Sequence, residues 1–161
     1  MKYASTKIVF QEVPNEVSLG FLISGCPLKC PGCHSSNVRG KEFGLELTED
    51  GFVQLILEHQ NIITCILFLG GEWEKQNLIK FLKISQFYNL KTCLYTGLEY
   101  HEVDDSILQY LDYIKVGPYI KNKGPLSSVN TNQKFFHLKS NTILNHYFHK
   151  KITKEILHAT A

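Results

Sequence analysis

Residues 24–36 read Ser-Gly-Cys-Pro-Leu-Lys-Cys-Pro-Gly-Cys-His-Ser-Ser. Cys26, Cys30 and Cys33 give the spacing C-x3-C-x2-C, and Cys30 to His34 reads as C-x-x-C-H. Thiols this close together hold a haem, a zinc ion, an iron–sulfur cluster or one another. The chain around them narrows the choice.

A length of 161 residues fits a single domain, by the prior of roughly 100–200 residues each. An apolar content of 43% is enough for a core that needs no disulfides. The net charge of +2 is too small to argue for nucleic acid or a membrane surface as partner. Five cysteines are an odd number, and three are clustered, which points to a metal or redox site in a reducing compartment. Met1–Gln11 carries Lys2 and Lys7 with only a short apolar run, so it does not read as a signal peptide. Nothing approaches the ~20 apolar residues of a membrane span. The expected location is the cytoplasm.

Haem is the first reading to fall. Covalent attachment at C-x-x-C-H normally follows export, and Met1 is the sole methionine, so the common methionine axial ligand is missing.

Strand and helix signals alternate outward from the cysteines. Lys7–Val13 and Val17–Ser24 read as strands joined by a turn at Pro14-Asn15. Thr48 reads as an N-cap followed by Glu49 and Asp50, with Phe52, Leu55, Ile56 and His59 at helical spacing. Ile62–Leu69 is a continuous apolar run, expected as a strand buried on both faces and closed by Gly70-Gly71. Leu78, Phe81 and Leu82 mark a second helix, Lys91–Tyr95 a strand closed by Thr96-Gly97, and Ile107, Leu108 and Leu111 a short helix after Asp104-Asp105. Tyr113–Val116 reads as a strand, 117–132 as a loop, Gln133–Leu138 as a late strand, and the remainder to Ala161 as a polar, basic, partly helical tail.

This order predicts an α/β fold with a mostly parallel sheet. The chain is too short for a closed (β/α)8 barrel of ~250 residues, so an open or partial barrel is expected, as one domain over residues 1–161. Sites in such sheets lie at the carboxyl ends of the strands. There the sequence places the cysteine loop, Gly70-Gly71-Glu72, Thr96-Gly97 and Gly117-Pro118.

A structural zinc ion wants four closed ligands, and His34 adjoins Cys33, so the two side chains converge poorly on one tetrahedral ion. A [4Fe–4S] cluster held by three cysteines instead keeps one iron open for a substrate or cofactor. Pro27 and Pro31 stiffen the loop, and Gly25 and Gly32 let backbone approach closely.

The cysteine spacing after an early strand resembles the radical S-adenosylmethionine (SAM) superfamily. Phe68-Leu69-Gly70-Gly71-Glu72 resembles its Gly-Gly-Glu motif, and Cys-Pro-x-x-Cys-Pro-Gly-Cys-His resembles the glycyl-radical activases. Leu94–Gly97, Lys115–Tyr119 and Asn132-Gln133 are similar to segments of the anaerobic ribonucleoside-triphosphate reductase-activating proteins. The resemblance runs from about Leu19 to Phe136. It implies a partial (β/α) barrel and a [4Fe–4S] cluster on Cys26, Cys30 and Cys33. It also implies SAM against Gly32, Cys33, His34, Gly70, Gly71, Glu72, Thr96 and Gly97. The two glycines would offer bare backbone to the methionyl part, while Glu72 either anchors the strand end or accepts from the amino group. The implied reaction is one-electron cleavage of SAM, with the electron from a flavodoxin-like donor. It yields a 5′-deoxyadenosyl radical that makes a glycyl radical on the large subunit of an anaerobic ribonucleotide reductase. A small-molecule radical SAM enzyme, such as a 7-carboxy-7-deazaguanine synthase, and a zinc-binding interaction module are the competing readings.

Other features read more plainly. Cys65 and Cys93 lie mid-strand and are expected as buried thiols. Tyr95 and Trp73 read as packing. His137, His146, His149 and His158 read as surface residues, and Lys150, Lys151 and Lys154 as a solvated face. The 117–139 stretch, with Asn132 and Gln133, and the basic tail are expected near a partner protein.

Overall fold

The computed structural model describes residues 1–149. Its eight strands are β1 (Lys2–Val9), β2 (Ser18–Ile23), β3 (Leu45–Glu46), β4 (Cys65–Leu69), β5 (Lys91–Tyr95), β6 (Tyr113–Val116), β7 (Lys134–His137) and β8 (Thr142–Ile143). They form one sheet in the order β3-β1-β2-β4-β5-β6-β7-β8. The ladders β2–β4, β4–β5 and β5–β6 are parallel; the four towards the edges are antiparallel. The sheet is therefore mixed, with a parallel centre, and its parallel share is smaller than expected. The edge strands β3 and β8 give no sequence signal, since two residues carry no periodicity.

The parallel centre follows from its connections. Helix α1 (Glu49–His59) starts where Thr48 accepts a hydrogen bond from the Gly51 amide, with Glu49 and Asp50 in its first turn. It buries Phe52 and Ile56. Helix α2 (Lys75–Phe87) buries Leu78, Phe81, Leu82 and Ser85. The short α3 (Asp105–Leu108) is capped by Asp104, which accepts from the Ser106 amide. α1 and α2 cover one face, where Phe21, Phe68, Leu94, Ile114 and Phe136 form one row across the strands. Phe21, Phe52, Phe68 and Phe81 pack there as an aromatic cluster with neighbouring ring centroids 4.8–6.5 Å apart. Each such ring is worth about 1.5–3 kcal/mol when fully buried.

The opposite face holds a second, smaller core of Val13, Cys65, Leu67, Cys93, Tyr113, Leu126 and Phe135. Both mid-strand cysteines are wholly buried there. Burial pushes the Cys65 thiol up to about 12 and Cys93 well above its ordinary value.

Three boundaries differ from the sequence reading. β1 begins at Lys2 and ends at Val9, paired with Ser18, so the hairpin closes through residues 10–17; the expected Pro14-Asn15 turn is present inside that longer loop, where the Glu16 amide donates to Val13 O at 3.2 Å. Distant contacts hold the residues on either side of that turn: Val13 enters the second core, and the buried Glu16 binds Lys91, Thr64 and Tyr113. The run Ile62–Leu69 becomes strand only from Cys65, because the amides of Ile62 and Ile63 still bond to His59 at the end of α1. Beyond Leu138, the chain forms β8 and a 3-10 turn at Asn145–Tyr147. Lys150, Lys151, Lys154 and His158, with the rest of the basic tail, lie outside the described residues. Among the described residues, no helix is long and apolar enough to cross a membrane.

Candidate iron–sulfur site

The site lies at the carboxyl ends of the parallel strands, on the face opposite the helices. Register explains this. Leu22, Leu69, Tyr95, Lys115 and Phe135 form one row across β2, β4, β5, β6 and β7. The first four line a cleft together with Cys26, Cys30, Cys33, Arg39, Gly70, Glu72, Trp73, Thr96 and Gly97.

The cysteine loop folds over this row from the end of β2. Gly25 turns it at φ +86° and donates to Val38, which is buried and anchors the returning chain. The Cys33 amide donates to Cys30 O at 3.3 Å, and the Ser36 amide to Cys33 O at 3.3 Å. Arg39 donates to Cys30 O at 2.8 Å. All three thiols are half-buried and free. Burial is the main reason that the Cys26 thiol is pushed up, with the charges of Glu72, Cys33 and Cys30 adding to it. Three soft thiols on one wall suit iron–sulfur chemistry. Among the described residues, no group of three or more His, Cys, Asp or Glu, the three thiols included, is gathered closely enough to hold a single metal ion.

The facing wall is built on the ends of β4 and β5. Thr96 Oγ1 donates to Glu72 Oε1 at 2.6 Å and accepts from the Leu98 amide at 3.0 Å. Glu72 Oε2 is buried without a partner. Burial raises the Glu72 pKa, opposed by the Thr96 bond, its own amide and the Lys115 charge. A Cβ on Gly97 would sit 2.9 Å from Leu28 Cδ1 and 3.9 Å from Cys30 Sγ, so the loop closes directly onto this turn. Lys115 Nζ reaches Thr96 O at 3.4 Å and Gly117 O at 3.3 Å. Burial draws its pKa down to about 8, while the charges of Cys30, Cys33 and Glu72 pull it back up.

The expected residues divide. Cys26, Cys30, Cys33, Gly70, Glu72, Thr96 and Gly97 meet at the cleft. Gly32 and His34 are exposed and pack on Tyr119, which lines the cleft. A Cβ on Gly32 would touch the Tyr119 ring at 3.6 Å, and the His34 ring packs 5.6 Å from that of Tyr119. Gly71 faces the helix-side core, where a Cβ would meet Ile23 and Met1 Sδ at 3.4 Å. Its φ of +112° independently favours glycine. Gly70 is where a side chain would collide with Trp73, 2.5 Å from its ring.

Lys115, Arg39, Trp73 and Tyr95 also line the cleft, and none of them is among the residues expected to bind cluster or SAM. The signal for Lys115 was alternation within Tyr113–Val116: it shares a face with Tyr113, so a lysine points inwards at the strand end.

A fold with a parallel centre and a three-thiol cleft at its strand ends defines an iron–sulfur protein. The family model described as a 4Fe-4S single cluster domain matches residues 17–156, and the chain belongs to that family. No curated protein matches it.

Proposed function

We propose that this protein is a radical SAM activase. The observation that carries this reading is the meeting of two walls in one cleft: Cys26, Cys30 and Cys33 on the loop, Gly70, Glu72 and Thr96 on the strand ends. In this reading the three thiolates hold the cluster and leave one iron without a protein ligand. Glu72, fixed through Oε1 by Thr96, keeps Oε2 free to accept from the amino group of SAM. Gly97 keeps its turn bare so that Leu28 and Cys30 can close against it. Leu22, Leu69 and Tyr95 form an apolar floor that excludes water. With cluster and SAM bound, the cofactors would supply the one-electron cleavage of SAM, the electron coming from an external donor, to methionine and a 5′-deoxyadenosyl radical that would act on a glycine Cα of a partner enzyme.

The parallel strands β2, β4, β5 and β6, with the cleft at their carboxyl ends, support a partial (β/α) barrel of the radical SAM type. The resemblance of Leu94–Gly97, Lys115–Tyr119 and Asn132-Gln133 to the reductase-activating proteins supports an anaerobic ribonucleotide reductase as partner and a flavodoxin-like donor as reductant. Asn132 and Gln133 are pinned near the rim: Asn132 donates to Pro118 O at 2.9 Å, and Gln133 O accepts from Asn145 at 2.8 Å.

The test is anaerobic reconstitution with iron and sulfide, then reduction with SAM and the anaerobic ribonucleotide reductase of the same organism. Formation of 5′-deoxyadenosine and a glycyl doublet in the EPR spectrum is the expected result. Turnover of a small nucleoside or pterin precursor without a glycyl radical would favour a small-molecule radical SAM enzyme. A colourless protein holding one zinc would rule out both enzymes.

A further inference from the structure

Lys115 carries a half-buried charge with no carboxylate partner among the described residues, its Nζ lying 5.9 Å from the centre of the Tyr95 ring. Its Nζ donates only to the carbonyls of Thr96 and Gly117, at 3.4 and 3.3 Å, long for a charged donor. Glu72, the carboxylate of the same cleft, gives Oε1 to Thr96 instead. An ammonium taken out of water without a counter-charge is costly, so its placement calls for a compensating negative charge.

The Cys30 and Cys33 thiols, with the Glu72 carboxylate, are the acidic groups whose charge reaches it. Lys115 grips the Thr96 carbonyl, and the Cβ position of the next residue, Gly97, is 3.9 Å from Cys30 Sγ. The ammonium and the Cys30 thiol thus flank one short turn. Adding one electron to a cluster held by three thiolates adds negative charge to the cleft. The potential of such a cluster depends on net charge, hydrogen bonding and exposure. A fixed cation in a poorly hydrated wall acts strongly on it.

We propose that Lys115 is a positioning residue for electron entry: its ammonium, held over the Thr96–Gly97 turn, stabilises the reduced cluster and raises its reduction potential. The step is the transfer of one electron from an external donor, dithionite in the test, to the cluster; no bond forms or breaks. This inference rests on cluster ligation by Cys26, Cys30 and Cys33 and does not need SAM or a partner protein.

The experiment is a redox titration of the full reconstituted chain, followed by EPR without SAM. Lys115→Gln keeps an N–H donor for the carbonyls but removes the charge. At the wild-type midpoint its ratio of reduced to oxidised cluster should fall about tenfold, a shift of about 59 mV for a one-electron couple. Lys115→Arg should stay near wild type. Lys29→Gln, at an exposed neighbour of Cys30, should not move the midpoint. An unchanged midpoint in a loaded Lys115→Gln protein overturns the proposal. If that variant does not load, the wild type decides: with 15N in its lysine side chains, pulsed electron–nuclear double resonance on the reduced cluster should show a nitrogen coupling. Its absence overturns the proposal. A shifted midpoint in Lys115→Gln, where wild type cleaves no SAM, would retain this inference and reject the activase.

Discussion

Thr96 Oγ1 and Glu72 Oε1, 24 residues apart in the chain, meet at 2.6 Å and tie the end of β5 to the turn after β4. The bond fixes a buried carboxylate whose other oxygen has no partner. It sets which oxygen is offered to a ligand, and it offsets part of the cost of burying the charge.

Thr96→Val keeps the shape and removes the donor. The apo chain should lose about 1–3 kcal/mol in chemical denaturation, the range for a buried group left short of a bond. Iron loading should survive, since no thiol is touched. SAM affinity, measured by calorimetry on the reconstituted variant, should weaken about tenfold, or ~1.4 kcal/mol. Wild-type affinity would contradict the role given to Glu72.

Replacing Cys26, Cys30 or Cys33 singly by Ala should abolish the brown chromophore and the full iron complement after reconstitution, because two thiolates hold a cube poorly. Cys65→Ala and Cys93→Ala should load normally. These thiols lie in the second core, so their loss leaves only a small void costing roughly 1 kcal/mol. Iron content per chain separates the two groups. Loss of iron from Cys65→Ala with retention in Cys30→Ala would move the site elsewhere.

What the sequence disclosed was local. The cysteine spacing, the Thr48 cap, the apolar run of β4 and the glycines that close it each depend on neighbours within a few residues. What it hid depended on partners far along the chain. Glu16 reaches Lys91 and Tyr113 and so draws the hairpin loop inwards, which no turn rule foresees. β3 exists because Lys2 and Tyr3 pair with Glu46 and Leu45. Gly71 is expected at SAM from the resemblance of Gly70-Gly71-Glu72 to the Gly-Gly-Glu motif; a feature the sequence does not show is that the Cβ position of Gly71 faces Ile23 and Met1 at a φ of +112°. Lys115 became part of the site only when the β5–β6 register set it beside Tyr95.

Trp73 is the chain's single tryptophan and lines the cleft. Its emission therefore reports the site without labelling. Cluster loading should quench it several-fold relative to the apo chain. Gly70→Ala would place a methyl 2.5 Å from the Trp73 ring, in a backbone conformation at φ +87° that suits glycine. The indole must move, so emission of the apo variant should shift towards longer wavelength. An unshifted apo spectrum would mean that the ring is not wedged where the structure puts it.

Asp104 links two elements behind this wall. It caps α3 through the Ser106 amide and pairs with Lys75 Nζ at 2.7 Å, at the start of α2. The Lys75 bond, with those from Ser106, holds its pKa at about 2, below the ordinary 3.8. A depressed carboxylate stabilises the fold above its unfolded pKa and loses that contribution as pH falls through the folded one. The stability gap between wild type and Asp104→Ala should therefore be full above about pH 4 and narrow as pH falls towards 2. Thermal unfolding of both chains across that window checks it; a pH-independent gap would mean that the ion pair contributes nothing.

Removing the cluster should loosen the loop and little else. Besides its internal bonds, Gly25 to Val38 O and Arg39 to Cys30 O among them, the loop of residues 24–39 is tied to the rest of the fold by the Ser24 amide, which donates to Lys2 O at 3.0 Å, and by the buried Val38, whereas β4 and β5 sit in the middle of the sheet. Lys29 is exposed between Cys26 and Cys30, so trypsin has a site inside the loop. The apo chain should be cut after Lys29 quickly, and the loaded chain at least tenfold more slowly, since three thiolates on one cube close the loop at both ends. Hydrogen exchange should show the same contrast: protection gained on loading at the Cys33 and Ser36 amides and unchanged at Leu67 and Leu94. Equal cleavage of apo and loaded chains would show that the cluster is not bound by this loop.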